Sequence, residues 1–396
     1  MRSSYLTEDV VLLLKDITGS VQPQPTAERE KLIQSGKHYS EMLPIEYVPT
    51  EKYMAVYREA LEKYAKQVAD AVGVLSDRIM EARGRDVVLV SLARAGTPVG
   101  ILIRRYIRLK YKTDVPHYSI SIIRGRGIDR NAMRYLLDRY RPEQLLFVDG
   151  WIGKGAILGE LEKDIRDYPH VNSEIAVVAD PAGVTELCGT HEDILIPSSC
   201  LNSTVSGLIS RTFLRDDIIG EKDFHGAVYY GELKDSDLSY EFIETIEKYF
   251  FVEDPVLSSE SRKPENDRPE KKENREPKKS RTEEKESRDI QNVRLEGKGT
   301  DSTETSVLKG KGIDEVREIA AFFGIEDINF VKPGIGETTR VLLRRVPWKV
   351  LIDERYRGNP ELSHVVRLAE EKQVPVEYYP LTHYKCCGII KKVADA

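Results

Sequence analysis

The sequence predicts an α/β protein with a mainly parallel sheet, and three observations carry that expectation. Strand-length runs rich in Val, Ile and Leu recur at residues 86–91, 117–123, 145–148 and 175–179. Several lack the strict in–out alternation of a half-solvated strand, as strands covered on both faces do. Loops of glycine and small residues follow them, leading into helix-period segments, and this β-loop-α order builds parallel sheets.

The elements follow in order. Residues 53–81 (YMAVYREALEKYAKQVADAVGVLSDRIME) place apolar side chains at helical spacing. The strand at 86–91 (DVVLVS) runs into Leu92, Ala93, Arg94, Ala95, Gly96 and Thr97. Thr97 reads as an N-cap, with Pro98 at the first position of a helix reaching residue 106. A small-residue loop with an arginine ahead of a helix suits an anion, and Arg94 offers a planar fork to phosphate oxygens. The strand at 117–123 (HYSISII) leads to the loop 124–130, which carries Arg124 and Arg126.

The run at 145–148 ends in Asp149, followed by Gly150, Trp151, Ile152, Gly153, Lys154, Gly155 and a helix starting near Ala156. Glycine-permitted turns aim backbone N–H groups inward, and the helix N-terminus adds roughly half a positive charge, so the loop is an anion cradle. Asp149 falls at a strand's C-terminal end, where open α/β sheets bind ligands. After the strand at 175–179, Asp180 and the small polar residues Ser198, Ser199, Cys200, Asn202 and Ser203 could line a second pocket, with a helix over 205–213.

A 396-residue chain that is 40% hydrophobic and 32% charged suggests two or three domains with a sizeable core. Its four cysteines form neither a disulfide framework nor a zinc pattern, and the Cys386-Cys387 pair reads as packing. The N-terminal apolar patch is too short and too acidic at its flanks for a signal peptide, so a cytoplasmic protein is expected. From 260 to 289 the chain holds 11 basic and 10 acidic residues and no Val, Ile, Leu, Met or aromatic side chain. Such a stretch cannot offset its ordering entropy, so 254–306 reads as a disordered tether between a domain at 1–253 and another at 307–396. The last part has 15 basic against 13 acidic residues, or +2, while the first has 32 against 39, or −7.

In the last part, 313–324 (IDEVREIAAFFG) reads as a helix and 348–353 (WKVLID) as a strand. Lys332, Gly334, Gly336, Glu337, Thr338, Thr339 and Arg340 surround the start of a second helix that runs on through Arg344 and Arg345. A further helix ending at residue 372 and a strand at 374–379 complete an αβα order.

These motifs carry two resemblances. LLFVDGWIGKGAI resembles the phosphoribosyl-diphosphate signature of type I phosphoribosyltransferases, and SLARAGTPVG resembles their pyrophosphate loop. With EREKLIQSGKHYSEMLP and IPSSCLNSTVSGLISRT, residues 1–253 resemble the bacterial phosphoribosyltransferase-like family of tellurite-resistance stress operons, also labelled as the cysteine protease StiP. The residues at 307–393 resemble the L7Ae and Pelota RNA-binding domains.

The resemblance implies a phosphoribosyltransferase using phosphoribosyl diphosphate and Mg²⁺ on an unknown acceptor. The 150–156 loop would hold the 5-phosphate, and Arg94 in the 93–97 loop the diphosphate. Asp149 would hold the ribose, and Arg124 and Arg126 would close over the leaving group. Asp180, Ser198 to Cys200, Asn202 and Ser203 would form the acceptor pocket. The chain departs from that pattern at Gly150, where a second acid is the rule, and at Gly153-Lys154, which replace a threonine pair. The same resemblance leaves two other readings: a cysteine protease using Cys200 with His191 or His225, and a non-catalytic sugar-phosphate or nucleotide sensor. The second resemblance implies that Lys332, Gly334, Gly336 to Arg340, Arg344 and Arg345 meet structured RNA. A homodimer is a further expectation.

Overall fold

The structure, a computed structural model, describes residues 1–251 and 311–391, so the tether expected at 254–306 lies outside it. In chain order the body comprises β1 (Val11–Leu12), α1 (Glu51–Arg83), β2 (Val88–Ala93), α2 (Gly96–Tyr111), β3 (His117–Ile123), α3 (Arg130–Leu137), β4 (Leu145–Trp151), α4 (Ala156–Ile165), β5 (Ile175–Ala179), β6 (Cys188–Thr190) and α5 (Ser239–Glu247), besides a peripheral helix at Thr26–Gln34 and shorter pieces. The sheet runs β1-β3-β2-β4-β5-β6 with every neighbouring pair parallel. Gly127–Ile128 folds back antiparallel on β3.

The strands are apolar because helices cover both faces. Val148 and Leu146 face a cluster with α1 and α2, whereas Phe147 and Leu145 face one that includes α3 and α4 residues. All four side chains are fully buried, each contributing roughly 1.5–3 kcal/mol. Glycine sets how the loops meet. A Cβ at Gly96 would stand 2.3 Å from the Val148 carbonyl oxygen, so only glycine lets α2 start against the end of β4. That contact brings the Arg94 and Asp149 loops together.

Two local expectations are corrected. Thr97 lies inside α2, and its Oγ1 meets Ser119 Oγ at 2.8 Å instead of capping the helix. The helix at 205–213 does not form. Gly207 and Leu208 take positive φ of 74° and 54°, and a side chain at Gly207 would strike Tyr5, so only a 3₁₀ turn at Ser203–Val205 remains.

The C-terminal part contains α6 (Lys311–Phe322), β7 (Val331–Pro333), α7 (Ile335–Arg344), β8 (Pro347–Ile352), α8 (Ser363–Glu371), β9 (Val376–Tyr378) and β10 (Cys386–Ile390). Its sheet order is β7-β10-β8-β9, with β8 and β9 parallel and β10 antiparallel to both its neighbours. Cys386 and Cys387 are buried in β10. This part packs into one compact unit with the body. Along α1, Lys52 pairs with Glu371, Glu59 with Arg367 at 2.6 Å, and the Tyr64 hydroxyl donates to the Glu361 carbonyl at 2.6 Å. Among the described residues no helix is long and apolar enough to cross a membrane.

Candidate functional site

The loops after β2 and β4 open into a cleft of about 260 Å³. Arg94, Ala95, Asp149, Gly150 and Trp151 line it from the strand ends, and Ser198, Ser199 and Asn202 from the polar segment. The fourth wall, absent from the sequence reading, comes from the C-terminal part, through Gly336, Glu337 and Arg340. Sequence reasoning also missed its apolar lining at Pro98, Ile194, Ile196, Leu201 and Val205, which alternate with no readable period. A second cavity beside it is lined by Asp149, Ile152 to Ala156, Lys332 and Glu337.

The charged groups are already committed. Arg94 donates to the Ile209 carbonyl at 2.9 Å and to Asn202 Oδ1 at 3.3 Å, with Glu46 at 3.9 Å. Lys154 lines the second cavity and donates to the carbonyls of Ile328 and Val331 at 3.0 and 3.1 Å. Burial, followed by the Lys332 charge, pushes its pKa down to about 8. Burial pushes the Asp149 carboxyl up to about 7, against one N–H donated by Gly150 at 2.8 Å.

Other predicted residues fall elsewhere. Arg126 pairs with Glu41, and its loop is pinned by Gly125 N–H to Glu160 at 2.7 Å and by Ile128 N–H to Asp164, so it is no hood over the cleft. Arg124 lines neither cavity, although its charge reaches Lys154 and Lys332. Thr97 is fully buried and Ala93 faces a small cluster with Leu14. Ser203 donates to Glu46 at 3.2 Å, while Asp180 accepts N–H bonds from Val184 and Thr185, so neither lines the polar pocket. Among the described residues no group of three or more His, Cys, Asp or Glu could hold a metal ion, and Asp149 stands without the second acid.

The predicted RNA edge is in contact with the body. Gly334 lies against Trp151, Arg344 donates to Asn202 Oδ1 at 2.6 Å and to the Cys200 carbonyl at 2.7 Å, and Arg340 pairs with Glu337 at 3.0 Å. Burial disfavours the Glu337 carboxylate, but Arg340, Lys332 and Lys154 outweigh it and hold its pKa down. Thr338 and Thr339 point inward. Thr339 Oγ1 bonds the Ile335 carbonyl at 2.8 Å and meets His364 Nε2 at 3.0 Å, and both threonines are fully buried, so they are removed from the RNA contacts.

Cys200 is fully buried, and burial pushes its thiol up to about 12. Neither proposed histidine serves it, since His225 Nδ1 bonds Ser121 at 2.8 Å. His191 instead brings Nε2 to 3.5 Å from Cys188 Sγ, while its Nδ1 lies 2.9 Å from the Asp180 carbonyl oxygen. A carbonyl only accepts, so that bond places the proton on Nδ1 and leaves Nε2 unprotonated; Sγ also lies 3.7 Å from Nδ1, over the face of the ring, so the imidazole must turn to aim the Nε2 lone pair at the thiol. One oxygen of the buried Asp180 carboxylate has no partner, and the other is 4.0 Å from Nδ1. Burial and Asp180 raise the Cys188 thiol, opposed by Arg78 at 4.0 Å. The readable signal was the Cys-x-x-His spacing at the end of a strand.

Residues 3–247 match the family described as tellurite-like stress resistance cysteine protease StiP, and residues 310–392 match the PELOTA RNA binding domain. The cysteine protease StiP of Acinetobacter baylyi is 32% identical over 406 residues, covering 98% of this chain and 94% of that protein. The chain belongs to the StiP family.

That membership corrects the reaction expected from sequence. The StiP family and its Acinetobacter member both carry the name of a cysteine protease, which overturns the reading as a phosphoribosyltransferase binding phosphoribosyl diphosphate. The geometry agrees. In this StiP-family chain the loop lysine serves two carbonyls, the supposed hood arginine serves Glu41, and the second acid is missing.

Proposed function

We propose that the chain is a thiol-dependent peptide hydrolase in which Cys188 is the nucleophile and His191 its base, oriented by Asp180. One observation carries the assignment. Among the described residues, which include all four cysteines, Cys188 is the one with an imidazole nitrogen at its sulfur, 3.5 Å away. Nucleophile, base and orienting group in that order are the requirement for activating a thiol. The proton passes from Sγ to Nε2, the resulting imidazolium is stabilised by the Asp180 carbonyl and carboxylate, and the sulfur attacks the peptide carbonyl. The amine then leaves with the proton from Nε2, and water cleaves the thioester. Sγ is fully covered while His191 is half exposed, so a substrate reaches the sulfur only when edge strand β6 gives way.

The test is hydrolysis of an unstructured fluorogenic protein substrate by purified full chain. Cys188→Ser and His191→Ala should each abolish thiol-dependent turnover, whereas Cys200→Ser should keep it. Full activity in Cys188→Ser would sink the assignment.

The C-terminal domain, in this reading, binds structured RNA through Lys332, Gly334, Gly336, Glu337, Arg340, Arg344 and Arg345. Its match to a PELOTA RNA binding domain supports this, as do four cations gathered around one helix. Filter binding of a kinked or bulged hairpin RNA should weaken with salt, and no retention at low salt counts against it. For the scaffold, the small-residue loop carrying Arg94 and the glycine-rich loop after Asp149, side by side over the strand ends, support a type I phosphoribosyltransferase-like sheet turned to a different reaction. The division into 1–253, 254–306 and 307–396 is supported by the two family matches and by the charged stretch between them.

A further inference from the structure

Part of the edge of the C-terminal domain read as its RNA surface, at Gly334, Gly336 and Arg344, is packed on the body. α7 starts after Gly334, whose φ is +83°, and among the first backbone N–H groups of the helix that of Ile335 has its partner in the body. The body meets it with a carboxylate. Asp193 Oδ1 accepts the Ile335 N–H at 3.0 Å, and its Oδ2 accepts the Lys385 N–H at 2.9 Å. A carboxylate at a helix N-terminus occupies the place that a phosphate takes. Arg344, the arginine at the other end of the helix, is held by Asn202 and the Cys200 carbonyl, both acceptors of the kind a nucleic-acid backbone offers. The glycines are covered too. A Cβ at Gly334 would stand 2.6 Å from the Trp151 ring, and one at Gly336 would stand 3.4 Å from Ser199 Oγ.

We propose that structured RNA and the body compete for this one edge of the C-terminal domain, so that RNA binds only when the edge has left the body. The proposal rests on the RNA-binding reading of that domain. Its chemistry is substitution of like for like: phosphate for the Asp193 carboxylate at the start of α7, and phosphate or sugar oxygens for Asn202 and the Cys200 carbonyl at Arg344. Because Gly336, Glu337 and Arg340 also wall the cleft, RNA binding opens the cleft to solvent, and whatever holds the cleft closed weakens RNA binding by the same factor.

A reversible lock tests it in the full chain. A Cβ built on Gly336 lies 3.9 Å from Ser199 Cβ, inside the disulfide range of about 3.5–4.5 Å, and the native cysteines are all buried. The Ser199→Cys/Gly336→Cys variant should therefore cross-link on oxidation, with the bond between positions 199 and 336 mapped by peptide mass spectrometry. Locking removes the competent population, so oxidised protein should bind a bulged hairpin RNA roughly 10-fold or more weakly than the same protein reduced. Equal affinity of the two forms overturns the proposal. So does a cross-link that never forms, since the contact would then be absent in solution. If wild type binds the RNA but the reduced variant does not, Asp193→Ala decides: RNA binding should tighten several-fold, and unchanged or weaker binding overturns the proposal. RNA retained by neither wild type nor either variant removes instead the RNA-binding reading on which the proposal rests.

Discussion

Asp149 should destabilise the folded chain in neutral and alkaline solution, and Asp149→Asn should relieve it. Burial at the end of β4 lifts its carboxyl to about 7, with one N–H from Gly150 as its only hydrogen-bond donor among the described residues. An unfolded aspartate ionises near 3.9, so the gap is about 3 pKa units, or about 4 kcal/mol at most. The side chain is partly exposed to the cleft, and allowing for solvent screening halves this to about 2 kcal/mol. The folded pKa is the raised one, so nothing is lost below about pH 4. The deficit grows as pH rises from about 4 to 7 and is constant above that. Asparagine keeps an oxygen for the Gly150 N–H but has no proton to lose. Urea unfolding at pH 4, 6 and 8 should find Asp149→Asn close to wild type at pH 4 and about 2 kcal/mol more stable at pH 8. A variant equally shifted at all three values, or less stable at pH 8, would refute the assignment of a buried, proton-holding carboxyl.

Two further outcomes are expected. Burial pushes His117 and His364 down to about 4, so both stay neutral in the fold while their unfolded counterparts charge below about 6.5. Stability present above that value is lost as pH falls toward 4, by at most about 3 kcal/mol for each, and urea midpoints of His117→Gln/His364→Gln should fall less steeply with acid. Gly334→Ala forces a side chain both into φ +83° and onto Trp151, and should cost about 2–4 kcal/mol. Gly358→Ala, at φ +68° with open space around it, should lose only about 1 kcal/mol in parallel melts, and similar losses in the two would remove the packing argument.

Much of the fold was written in local pattern. The long helix α1 was expected at 53–81 and spans Glu51–Arg83, β3 and β5 fall on their expected residues, and α4 begins at Ala156 after a left-handed Gly155. These elements are long, periodic or punctuated by glycine, and such signals need only neighbours in the chain. The failures lie where distant packing rules. The helix expected at 205–213 gave way because Tyr5 and Ser3, some two hundred positions earlier, press on Gly207. Strands β7 and β10 went unread because β7 is only three residues long and both gain their hydrogen bonds only from each other and, for β10, from β8.

For the site, sequence by itself determined that a small-residue loop with an arginine follows β2 and a glycine-rich loop follows β4, that Asp149 stands without a second acid, and that a charged stretch runs from 260 to 289. Tertiary structure decided what those groups face. Lys154 was readable as a cation but not as a donor to two carbonyls of the C-terminal domain, because its partners lie more than 170 residues away. Cys188 and His191 are only three residues apart, yet on an extended strand they would stand about 10 Å from each other on opposite faces. The bend after Thr190 folds the imidazole back onto the sulfur, and the Asp180 carbonyl at the end of the neighbouring strand holds it there. Composition supplied the thiol and the imidazole, and only the packed sheet edge made them a pair.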